Sequence, residues 1–174
     1  MKRSLWLWQL MGFAVTALGG TVLHFLYEWL GDPVLIAPFS GVNESTWEHM
    51  KLLFWPMLAF TAVEAPFFRD RGDFFTIKLR GILLGLSMIP LLFYGYNGII
   101  GKSPDFINLV IFFISAAAAY AYEYRLLRSD KELRGSKRGA ILALGFIALL
   151  FIVFTFAPPA LGIFKDPLTG SYGI

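Results

Sequence analysis

The chain has 174 residues, of which 57% are hydrophobic and 16% charged, with a mean hydropathy of +0.64; a soluble domain carries about a quarter charged residues. Cysteine is absent, which excludes disulfides, thiolate nucleophiles and iron–sulfur ligation. The formal charge is +3, and in so apolar a chain surplus Lys and Arg set orientation in a bilayer rather than bind nucleic acid.

Apolar runs of about 20 residues recur, each long enough to cross a hydrocarbon core. Backbone amides inside lipid must be satisfied within their own segment, so these runs are expected to be helices. Strand-like alternation is absent, which argues against an outer-membrane barrel. The expected class is all-α: one polytopic membrane domain over residues 1–174 with five transmembrane helices.

The first helix is expected over residues 5–30. Its basic start, MKRS, resembles the opening of a signal peptide, but the apolar run is too long and lacks a small-x-small cleavage site. His24 and Glu28 lie one turn apart near its end, and Gly31-Asp32-Pro33 stops it. The second helix is expected over 46–68 and contains Pro56 and Pro66, the third over 80–96, the fourth over 106–124 and the fifth over 139–156. DFFTIKLR, before the third, is read as an interfacial segment. Gly81 and Gly85, and the Ser115–Ala119 patch, are small enough for close helix contact. Neither an internal repeat nor a second domain is visible.

Five spans put the amino terminus and the turns at 69–80 and 125–138 on one side. Twelve of the fifteen basic residues fall there, leaving Lys51, Lys102 and Lys165 opposite. Such a split over short loops places the amino terminus in the cytoplasm and the carboxyl terminus outside. Trp6 and Trp8 then belong to an inner aromatic belt, Trp29 and Trp47 to an outer one. Tyr94, Tyr96, Tyr120 and Tyr122 are read as belt residues too.

Between the first two helices lies the chain's densest polar stretch, SGVNESTWEHMK from Ser40 to Lys51. Both histidines, His24 and His49, fall at the outer ends of adjacent helices, at similar depth, and Glu28, Glu44 and Glu48 fall there with them. If residues 44–56 are helical, Glu44, Glu48 and Lys51 share a face, since their spacing is four then three. The plain alternative is capping: Ser45-Thr46-Trp47-Glu48 fits the S/T-x-x-E box, and acids favour a helix amino terminus. Capping accounts for Ser45 and Glu48 but not for His24, Glu28, Asn43, Glu44 and His49. Charge beside lipid is costly and reads as functional.

The expected site therefore comprises His24, Glu28, Asn43, Glu44, Trp47, Glu48, His49 and Lys51, binding a polar small molecule, an ion or a lipid headgroup, with Trp47 as a stacking wall and Lys51 as the anion partner. An alternative is a metal-dependent hydrolase or transferase acting on a lipid or envelope substrate. There His24, His49 and Glu48 would hold Zn²⁺ or another divalent metal, and Glu44, Glu48 and His49 would be the catalytic candidates. Against it, Glu48-His49 does not supply the paired-histidine spacing of HExxH. Histidines on neighbouring helices also suit a haem held from both sides, and a structural partner of another membrane protein is the last reading.

Glu64 lies about 22 Å below His49 along a helix, where it pairs by snorkelling with Lys78 or Arg80, or else relays protons. The terminal LGIFKDPLTGSYGI carries two turn pairs, Asp166-Pro167 and Thr169-Gly170, and apolar hooks in Tyr172 and Ile174. It is expected to fold over the site as a lid, with Asp166 or the terminal carboxylate on Lys51.

The NES-x-WEH-x-K block, the HFLYEW end of the first helix, the following K-LLFWPML and the terminal DP-x-TG-x-YGI together resemble a family of small bacterial integral membrane proteins of unknown function. The likeness spans the chain and implies a five-helix protein of the bacterial cytoplasmic membrane, without an activity. Where that family reads PPHIPLF before the final DP, this chain has PPALGIF. It lacks that third histidine, which counts against a three-histidine metal centre.

Overall fold

The structure is a computed structural model that describes residues 2–101 and 105–174. Lys102, counted above with the outer basic residues, lies outside the described residues. Five α-helices are present among them: α1 (Lys2–Trp29), α2 (Thr46–Glu64), α3 (Phe74–Ile100), α4 (Asp105–Arg128) and α5 (Lys137–Phe156). Helices α1 to α4 run alternately up and down in a closed ring, each packed on the next and α4 returning to α1. Helix α5 lies outside the ring, packed on α3 and reaching α2 through Phe151. Helix α2 is thereby enclosed by α1, α3 and α5.

Local chemistry sets the helix ends. Gly31 and Asp32 both take positive φ, turning the chain out of α1 ahead of Pro33. Ser45 and Ser136 cap α2 and α5, each accepting an amide three residues on. Helix α5 runs into Pro158-Pro159, which cannot continue it.

Four helices are long and apolar enough to cross a membrane: Ser4–Trp29, Phe74–Ile100, Phe106–Arg128 and Lys137–Phe156. Helix α2 is not among them, although five spans were expected, because Glu48, Lys51 and Glu64 lower its hydropathy. Those three side chains are buried against other helices rather than presented outward. Helix α2 carries the largest share of the core, with Leu52, Leu53, Phe54, Met57 and Phe60 packed on Ile82, Leu86, Phe112, Ala116, Leu144 and Phe151.

The small-residue expectation holds for α3 against α4. A Cβ added at Gly81 would fall on the Glu123 side chain, and one at Gly85 would meet Leu53 and Ala119. Other expectations are corrected. The segment DFFTIKLR is continuous with the third helix rather than ahead of it: Asp73 is the N-cap, Phe74 to Arg80 form the first two turns of α3, and Lys78 meets carboxylates inside the bundle. Helix α2 ends at Glu64 rather than at residue 68. Trp8 packs on Phe60, Phe67 and Phe68, and Trp47 on Phe151, Phe154 and Phe164, both half-buried in aromatic clusters. Trp6 and Trp29 do face outward. Tyr120 is buried and shares a 2.8 Å hydrogen bond with Thr16 on α1.

At the amino-terminal end, Arg71 ties three segments together. It donates to both oxygens of Asp73 and to the carbonyls of Leu126, Leu127 and Ser129 that end α4. Asp73 also accepts the Leu133 amide at 2.7 Å. Burial alone would raise the Asp73 carboxyl, but the bonds from Arg71 and Leu133 outweigh it and hold the group below its ordinary value. A depressed folded pKa contributes stability that is complete above the ordinary aspartate value, about 3.9, and is lost as pH falls through the folded value. Asp73→Asn is therefore expected to cost about 2 kcal/mol near neutrality. It should also remove this acid-sensitive part of the unfolding profile, read by thermal unfolding across an acid pH series.

Candidate functional site

At the opposite end, the histidine end, the loop after α1 folds back on the helix it has left. The Ser40 hydroxyl donates to the Leu23 carbonyl and accepts the Tyr27 amide, and the Gly41 amide also reaches Leu23. Asn43 accepts the Ser45 amide, forming the turn that presents Ser45 as the cap of α2. Glu44 therefore precedes the helix. It does not share a helical face with Glu48 and Lys51, as the spacing of the three suggested.

This start at Thr46 separates the two acids. Glu44 lies between the imidazoles, with one oxygen 3.6 Å from His24 Nε2 and the other 3.5 Å from His49 Nε2. The two rings are 5.7 Å apart between centroids, which fulfils the expectation of similar depth. His49 Nδ1 is 2.9 Å from the Ser45 carbonyl, so it carries the proton and leaves Nε2 facing Glu44. Separations of 3.5–3.6 Å are ion-pair distances, too long for good hydrogen bonds. The three side chains form an open polar group, and Glu44 is the most exposed of them, at 38%.

Glu48 faces the other way. It accepts the Val42 amide at 3.0 Å and pairs with Lys51 at 2.6 Å, both side chains being buried. Lys51 spends its remaining donors on the Ala37 carbonyl at 2.8 Å and the Thr155 hydroxyl at 2.9 Å, which completes the capacity of an ammonium. The pair fastens loop, α2 and α5 together and presents no charge to a ligand. Two roles inferred from sequence fall here: Lys51 is no anion partner, and Glu48 does not join His24 and His49 as a metal ligand. Trp47, in its aromatic cluster, is no stacking wall for the site. Among the described residues no three His, Asp or Glu side chains are placed to hold a metal ion together.

Two cavities meet at His24 and Glu44. One, of about 400 Å³, opens at the end of the bundle and is lined by Tyr27, Glu28, Asp32, Asn43 and Ile174 as well. The other, of about 370 Å³, descends between α1 and α4 past His49, Thr21, Phe25, Leu52, Phe106, Asn108, Leu109 and Phe112. No Lys or Arg lines either cavity among the described residues. Of these lining residues Phe106 and Asn108 were not marked by the sequence, since their place at the site comes from the packing of α1 on α4.

The tail reaches the site, though by other contacts than expected. Asn43 donates to the Gly173 carbonyl at 3.0 Å, and Ile174 forms part of the first cavity's wall. Asp166 does not approach Lys51; it accepts the Leu168 amide and the Thr169 hydroxyl of its own turn, and Lys165 bridges to Tyr172.

No curated protein and no solved structure matches the chain. One family model does, over residues 2–174, and the chain accordingly belongs to the Family of unknown function (DUF6512).

Proposed function

We propose that this chain is a five-span protein of the bacterial cytoplasmic membrane, amino terminus inside, which binds an amine-bearing amphiphile at its outer face. The observation that carries the reading is the junction of the two cavities at His24 and Glu44: a polar vestibule on one side, an apolar groove between α1 and α4 on the other. A headgroup suits the first and a hydrocarbon chain the second. Glu28, Asp32 and Glu44 stand around the vestibule, and Lys51, close by on α2, is consumed by Glu48. The field at the mouth therefore favours a cationic or hydrogen-bond-donating headgroup over an anionic one. Glu44 is the counter-ion, standing between the two imidazoles. Helix α2 completes the fifth span because its charges are matched inside the protein.

The test uses the full chain in lipid nanodiscs with a fluorescent long-chain amine and its carboxylate analogue as probes. The amine is expected to bind at least tenfold more tightly, and Glu44→Gln to weaken it by about tenfold, some 1.4 kcal/mol. Equal binding of both probes, or an unchanged affinity in Glu44→Gln, overturns the reading. A cysteine at Asn43 should react with a membrane-impermeant maleimide in intact cells, and one at Lys131 only after lysis. The reverse pattern inverts the orientation and puts the vestibule in the cytoplasm.

A further inference from the structure

A second polar group is buried in the half of the bundle away from the histidines, and it is independent of the reading above. Lys78 on α3 donates to Glu64 on α2 at 2.7 Å and to Glu123 on α4. None of the three side chains has measurable exposure. From α1, Gln9 donates to the second oxygen of Glu64 at 3.3 Å, and the Tyr120 ring lies 5.2 Å from the ammonium. Thr16, bonded to the Tyr120 hydroxyl, completes the surroundings. The nearby cations cannot help: Arg80 on α3 and Lys137 and Arg138 on α5 are exposed.

Two deficits coincide in this cluster. Two carboxylates against one ammonium leave one uncompensated negative charge, and an unmatched buried charge costs several kcal/mol. Two buried oxygens, Glu123 Oε1 and Gln9 Oε1, have no hydrogen-bond partner. A carboxylate oxygen and an amide oxygen are both acceptors, so what is missing around them is hydrogen. The cluster is short of one positive charge and short of a donor.

We propose that the Glu64–Lys78–Glu123 cluster is a binding site for one proton, held on the carboxylate pair. The proton cancels the surplus charge and converts one carboxylate into the donor that the cluster lacks. A metal cation would supply charge without a donor, and would stand against the ammonium of Lys78. Gln9 and Tyr120 also line a surface groove of about 320 Å³ between α1 and α4. Gly81 makes the arrangement possible, since any side chain there would occupy the space of Glu123.

Infrared spectroscopy of the full chain in nanodiscs tests this by counting protonated carboxyl groups through their carbonyl stretch at neutral pH. The wild type is expected to show one per chain. Glu123→Gln and Glu64→Gln should each show none, because one carboxylate then remains for one ammonium, and Lys78→Met should show twice the wild-type band. A wild type without the band overturns the proposal, and so does a band that survives in both glutamine variants or that added sodium abolishes at fixed pH. If a variant fails to fold, the wild-type count and its response to sodium still decide the matter.

Discussion

Lys51→Ala is expected to destabilise the protein by about 3–5 kcal/mol, the range for breaking a buried ion pair by removing one partner. The lysine is fully buried and its three donors reach Glu48, Ala37 and Thr155. Removing it leaves the Glu48 carboxylate inside the protein with only the Val42 amide, and strips a partner from both the loop and α5. Lys51→Met keeps most of the stem's packing and should lose nearly as much, which assigns the loss to charge. Adding Glu48→Gln to Lys51→Met should recover much of it, because a neutral amide no longer needs the ammonium. Thermal unfolding of the single and double variants in the same nanodiscs measures the coupling. If Lys51→Met left stability intact while abolishing amphiphile binding, the lysine would belong to the ligand site after all.

The second large effect concerns a residue without a side chain. Gly81→Ala puts a methyl group where the Glu123 carboxyl group stands. Overpacking of this kind costs about 1–3 kcal/mol, and here the displaced group is also a partner of Lys78. The loss should therefore reach the upper part of that range, and the infrared carboxyl band should change with it. Gly95, on the same helix, has open space around the corresponding position. Gly95→Ala is expected to be neutral or to stabilise α3 by about 0.5–1 kcal/mol. Equal responses at the two positions would mean that α3 and α4 do not approach each other as described.

What could be read from the residues follows the range of the interactions. Helices, caps and the small-residue seam of α3 on α4 are local patterns, and Ser45, Gly81 and Gly85 announce them. The meeting of His24 with His49 was legible because both stand at the same end of helices consecutive in the chain. The start of α2 at Thr46, which parts Glu44 from Glu48, was legible in the Ser45 capping box. But the partners of each acid, His24 and His49 for one and Lys51 and the Val42 amide for the other, depend on how the loop folds back. Nor could the surroundings of Glu64 be foreseen beyond Lys78. Glu123 lies 45 positions from Lys78, and Gln9 lies 55 from Glu64. Nothing in the spacing of such residues marks them as neighbours; the closed ring of helices does. Tyr120 was misread for the same reason, because its partner Thr16 is 104 positions away.

The enclosure of α2 also bears on how the chain is made. On the five-span reading this helix leaves the ribosome carrying Glu48, Lys51 and Glu64, and a Lys or Asp at the centre of an inserting helix costs about 2.5–3.5 kcal/mol. Glu48 and Lys51 can neutralise one another at once, being three positions apart. Glu64 cannot: Lys78 is 14 residues later, and Glu123 arrives only with α4. Helix α2 is thus expected to wait at the insertion machinery, lying against α1, until α3 emerges with the missing cation. Nascent chains cut before Lys78 should leave α2 accessible to the aqueous phase, and chains extended through α3 should shield it. On that reading the order of translation becomes part of the fold, with the second helix expected to enter the bilayer no earlier than the third.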